Sequence, residues 1–231
     1  MPTPNAVYSP KRTYVVAQDG DNVLVRGNEP LNEDGSFAYD AINSKLQEII
    51  PNFDLTKHKL IDFSLIDNNP ASEGGDLGME FSAYGQDLST LFPYPAAWPP
   101  FFNHYDITKQ HGNTVNGQSG SIIWYPVQGC TDNANCALVE PPQFNFDGAV
   151  DLLNHLLKTE QKSVIYYHCE HGHDRTSALT AGYMMKYMGK TLEEVLTQRP
   201  PEGAKAFKHP WAPTYEALVK WYATTLPQQE K

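Results

Sequence analysis

One stretch constrains this chain more than any other: Ser163-Val-Ile-Tyr-Tyr-His168, followed at once by Cys169-Glu170-His171-Gly172-His173-Asp174-Arg175-Thr176-Ser177. Val164 to Tyr167 form a hydrophobic run without alternation, so the first six residues read as a strand buried on both faces, the interior position of a parallel sheet. The polar run then leads into a helical pattern from Ala178 to Met188. Between a buried strand and a helix, successive backbone N–H groups can curl around an anion, and the helix points its positive end at the same place.

The neighbouring segments fit that frame. Ser121 to Val127 reads as a strand with Pro126 near its end, and a helix from Asp147 to Lys158 buries Val150, Leu153, Leu156 and Leu157. Thr191-Leu-Glu-Glu194 is a capping-box pattern that opens a short helix, and Thr214 to Thr225 forms a last one. Strand, helix, strand, helix in succession is an α/β layer. Before Gly120 the chain is dense in Asn, Gly, Pro and aromatics. Short strands are expected there at Thr13 to Ala17, Val23 to Arg26 and Leu60 to Ile66. A helix is expected from Tyr39 to Ile50 with Ile42, Leu46, Ile49 and Ile50 on one face. Four prolines between Phe92 and Phe102 make that segment an irregular aromatic loop, which packs between the two halves or shapes a cleft. Met184, Met185 and Met188 read as core filler. The expected division is an N-terminal extension over 1–120 and a core over 121–231 within one structural unit.

The polar run carries the chemistry. A thiolate at Cys169 and the permanently charged fork of Arg175, with five residues between them, can face one phosphoryl group from opposite ends of a cup. The helix dipole, the loop amides and Arg175 all favour the attacking thiolate near neutral pH. Gly172 permits a backbone conformation and a close approach that a Cβ would hinder. The hydroxyl of Thr176 can donate to the departing sulfur or to the loop. Glu170, His171, Gly172, His173 and Thr176 are therefore the candidate substrate-binding residues beside the catalytic pair.

His-Cys-(five residues)-Arg-Thr resembles the signature loop of the protein tyrosine and dual-specificity phosphatase superfamily. Gly182-Tyr-Met-Met-Lys-Tyr-Met-Gly-Lys-Thr-Leu-Glu-Glu194 is similar to the helix and turn that follow that loop in dual-specificity enzymes. The resemblance runs from about Ser121 to Leu196. It implies a central, mostly parallel sheet flanked by helices, attack of Cys169 on phosphorus, a phosphocysteine intermediate and its hydrolysis, with no metal or organic cofactor. Asp174, directly before the arginine, resembles myotubularin-like phosphoinositide phosphatases, in which an acid inside the loop protonates the leaving oxygen. Most tyrosine and dual-specificity enzymes instead place the acid on a loop after the preceding strand, where this chain offers Asp132 and Glu140. Asp132 is favoured over Asp174, with Glu140 third. Phytase-like members of the superfamily share the His-Cys-Glu opening with Arg-Thr at the end, which keeps inositol phosphates beside phosphoinositides and phosphotyrosine proteins as substrates.

Two other readings use the same residues. His168, Cys169, His171, His173 and Asp174 are all metal-ligand types, which would suit a metal-dependent hydrolase; a strand, however, points His168 and Cys169 to opposite faces. An inactive phosphatase fold used as a phospho-ligand binding module is the second. The 231 residues carry a formal net charge of −10, from 17 Lys plus Arg against 27 Asp plus Glu, which argues against non-specific nucleic-acid binding. The partner is expected to be a phosphorylated small molecule, a lipid head group or a phosphoprotein. No run approaches the roughly 20 apolar residues of a membrane span, and the start shows no signal-peptide pattern. Cys130 and Cys136 bracket a polar loop and either pair or remain thiols. Pairing would favour a secreted or periplasmic setting, and free thiols a cytoplasmic one.

Overall fold

The computed structural model describes residues 3–67, 74–91, 114–130, 136, 146–197 and 211–227. The buried run forms strand β6, Ser163–Cys169, every residue of which is buried. It lies between β2 (Asn22–Asn28) and β3 (Lys59–Ser64), parallel to both, with Asn28 beside Cys169 and Ser64 beside His168. β1 (Tyr14–Asp19) pairs antiparallel with β2 on one edge. On the other side β3 pairs parallel with β5 (Gln118–Trp124), which turns back antiparallel on β4 (Thr114–Val115). The order is β1-β2-β6-β3-β5-β4: a mostly parallel α/β sheet, as the sequence pattern implied. β1 to β4 and the start of β5 lie within the first 120 residues.

The helices are α1 (Tyr39–Ile49), α2 (Gly74–Ala83), α3 (Leu88–Leu91), α4 (Phe146–Thr159), α5 (Asp174–Met188), α6 (Leu192–Thr197) and α7 (Pro213–Thr225). α4 buries Val150, Leu153, Leu156 and Leu157 against the sheet, at about 2 kcal/mol for each large aliphatic side chain removed from water. Gly182 of α5 lets α4 come close: a Cβ there would stand 2.9 Å from Phe146 and Val150. The capping box at α6 forms as expected, with Thr191 N–H donating to Glu194 Oε2 at 2.7 Å and Glu194 N–H to Thr191 Oγ1 at 3.2 Å. Among the described residues no helix is long and apolar enough to cross a membrane.

Several expectations are corrected. β5 ends at Trp124 rather than Val127; beyond it Tyr125 N–H still donates to Ser64 and Val127 N–H to Leu65, but Pro126 between them has no N–H to continue a ladder. α5 begins at Asp174, not Ala178, because the loop passes straight into the first turn. Met188 and Ile49 are exposed, at 44% and 38%, whereas Met185 is buried. α2 was not foreseen: Gly74, Gly75 and Gly78 weaken its helical propensity, and packing of Leu77 and Phe81 into the core overrides that. The β4–β5 hairpin does have a readable signal, Asn116-Gly117, both at positive φ (48° and 73°). Cys130 and Cys136 form a disulfide. The Phe92–Phe102 segment lies outside the described residues.

Candidate active site

Cys169 ends β6, and Arg175 and Thr176 stand in the first turn of α5, so the loop between them spans only Glu170 to Asp174. The thiol is 3% exposed, at the base of the loop. Thr176, wholly buried, donates its Oγ1–H to Cys169 Sγ at 3.1 Å. Arg175 is half-buried and its Nη1 reaches the Leu65 carbonyl at 3.4 Å, which draws the fork toward the end of β3. Gly172 adopts φ +66°, and a Cβ there would meet the Gly27 carbonyl oxygen at 2.5 Å. Close backbone approach and a left-handed conformation coincide at this residue, so glycine is required twice over.

The loop carbonyls are accounted for one by one. Glu170 C=O accepts from Glu29 N–H at 3.2 Å, and His171 C=O accepts from Arg12 Nη1. Gly172 C=O accepts from Arg26 Nη2 at 2.8 Å, and His173 C=O from Ser177 N–H at 3.0 Å. Four consecutive carbonyls are thus drawn to donors around the loop, an arrangement that favours turning its N–H groups toward a common centre. Arg26 is fully buried in β2 and also donates to Ser177 Oγ at 2.9 Å. Burial lowers its pKa, while the nearby Tyr167 and Cys169 oppose that shift.

Of the residues expected from sequence, Cys169 and Thr176 are in direct contact, while Gly172 and Arg175 lie in the intervening loop and the first turn of α5. Asp174 is half-buried as the first residue of α5. Glu170 and His173 are half-buried and His171 exposed, the two imidazole rings 6.4 Å apart, with His171 Nε2 3.7 Å from Glu170 Oε1. Asp132 and Glu140 lie outside the described residues. The five-residue metal set does not assemble. Instead His168 points away from Cys169, and its Nε2 lies 2.9 Å from Asp62 Oδ1 and 3.6 Å from Glu80 Oε2.

That second pocket is wholly buried and strongly polarised. Burial pushes the Glu29 carboxyl well above the usual carboxylate range, and the charge of Glu80 adds to it. Burial also lifts Asp62, to about 7, with Glu80 adding and His168 opposing. For His168 burial acts downward, but Glu80 and Asp62 outweigh it and raise the pKa to about 10. For Glu80 burial acts upward, and the charge of His168 with the polar groups beside it brings the net direction down.

Arg12, Arg26, Glu29, Asp62 and Glu80 were not singled out from sequence. Two did carry a signal: Arg26 follows Val23-Leu-Val25, and Asp62 sits in Leu60-Ile-Asp-Phe63. A charge inside an apolar strand needs a buried partner. The partners themselves are 146 and 106 residues away in the chain.

No family model matches the chain, and no curated protein matches it. Among solved structures it is similar to a PTP-like phytase from Bdellovibrio bacteriovorus, at 11% identity and a TM-score of 0.37, over 97% of this chain and 90% of that one.

Proposed function

We propose that this protein is a phosphatase that hydrolyses phosphate monoesters through Cys169. The observation that carries the reading is the loop itself. A buried thiol stands at the carboxyl end of a central parallel strand, a short loop before a helix, and three consecutive loop carbonyls are held by donors from outside the loop and the fourth by the helix. That is a site built for an oxyanion with a nucleophile at its base.

In the reaction, Cys169 sulfur attacks phosphorus and forms the S–P bond as the ester P–O bond breaks. Arg175 clamps two non-bridging oxygens of the transferring group. An acid delivers its proton to the leaving oxygen; Asp132 is the first candidate, followed by Asp174 and Glu140. Water then attacks the phosphocysteine, the S–P bond breaks, and Thr176 Oγ1–H stabilises the returning sulfur anion from 3.1 Å. Glu170, His171 and His173 line the rim where the rest of the substrate contacts the protein. The substrates that suit this arrangement are inositol phosphates, phosphoinositides and phosphotyrosine proteins.

Release of inorganic phosphate by the wild type and by Cys169→Ser tests this on a panel of phosphotyrosine peptide, short-chain phosphoinositides and inositol hexakisphosphate. Activity on at least one member, lost in Cys169→Ser, is expected. Equal activity in both proteins overturns the assignment, and binding without turnover by the wild type would point to a phospho-ligand module.

A further inference from the structure

Behind the loop, on the far face of the end of β6, four ionisable side chains from different parts of the chain converge. Glu29 follows β2, Asp62 lies on β3, Glu80 on α2, and His168 on β6; all are 0% exposed. One ligand atom each from Glu29, Glu80 and His168 falls within 4.8 Å of the others. Among the described residues, neither oxygen of Glu29 or of Glu80 makes a hydrogen bond of good geometry, His168 Nε2 standing 3.6 Å from Glu80 Oε2, and Ser64 Oγ makes none either.

Three buried carboxyl groups around one imidazole are short of positive charge. Buried carboxylates without donors need protons or a cation. Protons leave the convergence itself without a purpose, since a carboxyl that must be neutral is replaced at little cost by an amide or an apolar side chain. One divalent ion satisfies Glu29, Glu80 and the ring nitrogen of His168 together. We propose that this pocket binds a divalent first-row transition ion through Glu29, Glu80 and His168, with Asp62 beside the imidazole as its orienting partner.

The donor set favours such an ion over magnesium or calcium, because an imidazole nitrogen sits among the carboxylates. Asp62 Oδ1 lies 2.9 Å from His168 Nε2, which leaves Nδ1, buried and without a partner among the described residues, as the nitrogen for the ion; a carboxylate on the other ring nitrogen is the usual outer-sphere arrangement that fixes a ring's orientation. On binding, the ion takes the place of the proton on Glu29 and that on His168 Nδ1, and both leave to solvent, while Nε2–H stays on Asp62. The site is structural. It ties α2 to the ends of β2 and β6 directly under the loop, where Glu29 N–H already holds the Glu170 carbonyl. It stands on the opposite side of the strand end from the thiol, so it is independent of the phosphatase reading.

Zinc serves as the probe. The full chain, with Glu29→Gln and Glu80→Gln prepared in parallel from zinc-supplemented cultures, is gel-filtered and its metal measured by plasma mass spectrometry. The wild type is expected to carry about one zinc per chain and each variant about tenfold less or lower. Wild type unfolded and refolded in chelator is expected to melt at a lower temperature than the zinc-refolded protein. Zinc-edge absorption of the wild type then reads the ligands without any variant: nitrogen and oxygen donors including one imidazole are expected. A sulfur donor would put the ion on Cys169, and that overturns the proposal. So does wild type with no metal above background after refolding with zinc, manganese and ferrous iron, or metal retained equally by both folded variants.

Discussion

Cys169 and His168 are adjacent in the chain, yet the two regions they face have opposite chemistry. On the Cys169 side stand donors: the Thr176 hydroxyl and the start of α5, which carries Arg175, with Arg26 and Arg12 holding the loop from outside. Around His168 stand acceptors: Asp62, Glu80 and Glu29. Strand alternation produces the split, since successive side chains leave a strand on opposite faces. One strand end therefore offers an anion cradle on one side and a cation-seeking pocket on the other. Backbone amides, a helix terminus and arginines from three regions build the first, whereas side chains from four separate parts of the chain build the second.

Substitutions can separate the two sides. The largest effect is expected from Arg175→Lys, which keeps the charge but loses the planar fork: kcat/KM falls about a thousandfold, with little change in thermal stability. An unaltered rate would remove Arg175 from the cradle. Gly172→Ala comes next. It strains a residue at φ +66° and drives a methyl toward the Gly27 carbonyl, so denaturant unfolding should show a loss of about 3 kcal/mol. A loss below half a kcal/mol would mean that the loop relaxes freely.

Arg26→Met asks whether orienting the loop carbonyls matters in its own right. It removes the donor to the buried Gly172 carbonyl and to Ser177, and stability should fall by about 2 kcal/mol. Activity should drop as well, while zinc retention on the His168 side stays at the wild-type level. Metal lost together with activity would show that the two sides are not separate. The smallest effect is expected for Thr176→Val, which deletes the hydroxyl 3.1 Å from the sulfur and keeps the shape. Turnover should slow about tenfold and alkylation of Cys169 by iodoacetate should slow with it; unchanged alkylation would place the hydroxyl's role elsewhere.

The cradle was legible in the sequence because it is contiguous. From Cys169 to Thr176 every group comes from one short loop bounded by a strand and a helix, both with clear patterns. The acidic pocket was not legible, because its members lie just after β2 and on β3, α2 and β6, and pairing across more than a hundred residues leaves no local trace. Arg12 stayed hidden for the same reason: its partner is 159 residues away. Asp62 and Arg26 could have been flagged as charges inside apolar strands, though not matched with partners. The early part of the chain looked loop-rich because glycines obscure α2 and because β2 and β3, though read as strands, are far apart in the chain from their partner β6. Their register against β6 is what makes the sheet.

The central claim is that Cys169 forms a covalent bond to the phosphoryl group. The most direct test is mass spectrometry of protein rapidly quenched during turnover of a phosphotyrosine peptide or inositol phosphate. A mass increase of about 80 Da on the peptide containing Cys169, absent from Cys169→Ser, is the predicted result. Steady phosphate release with no such adduct, and with Cys169→Ser still active, would contradict the account.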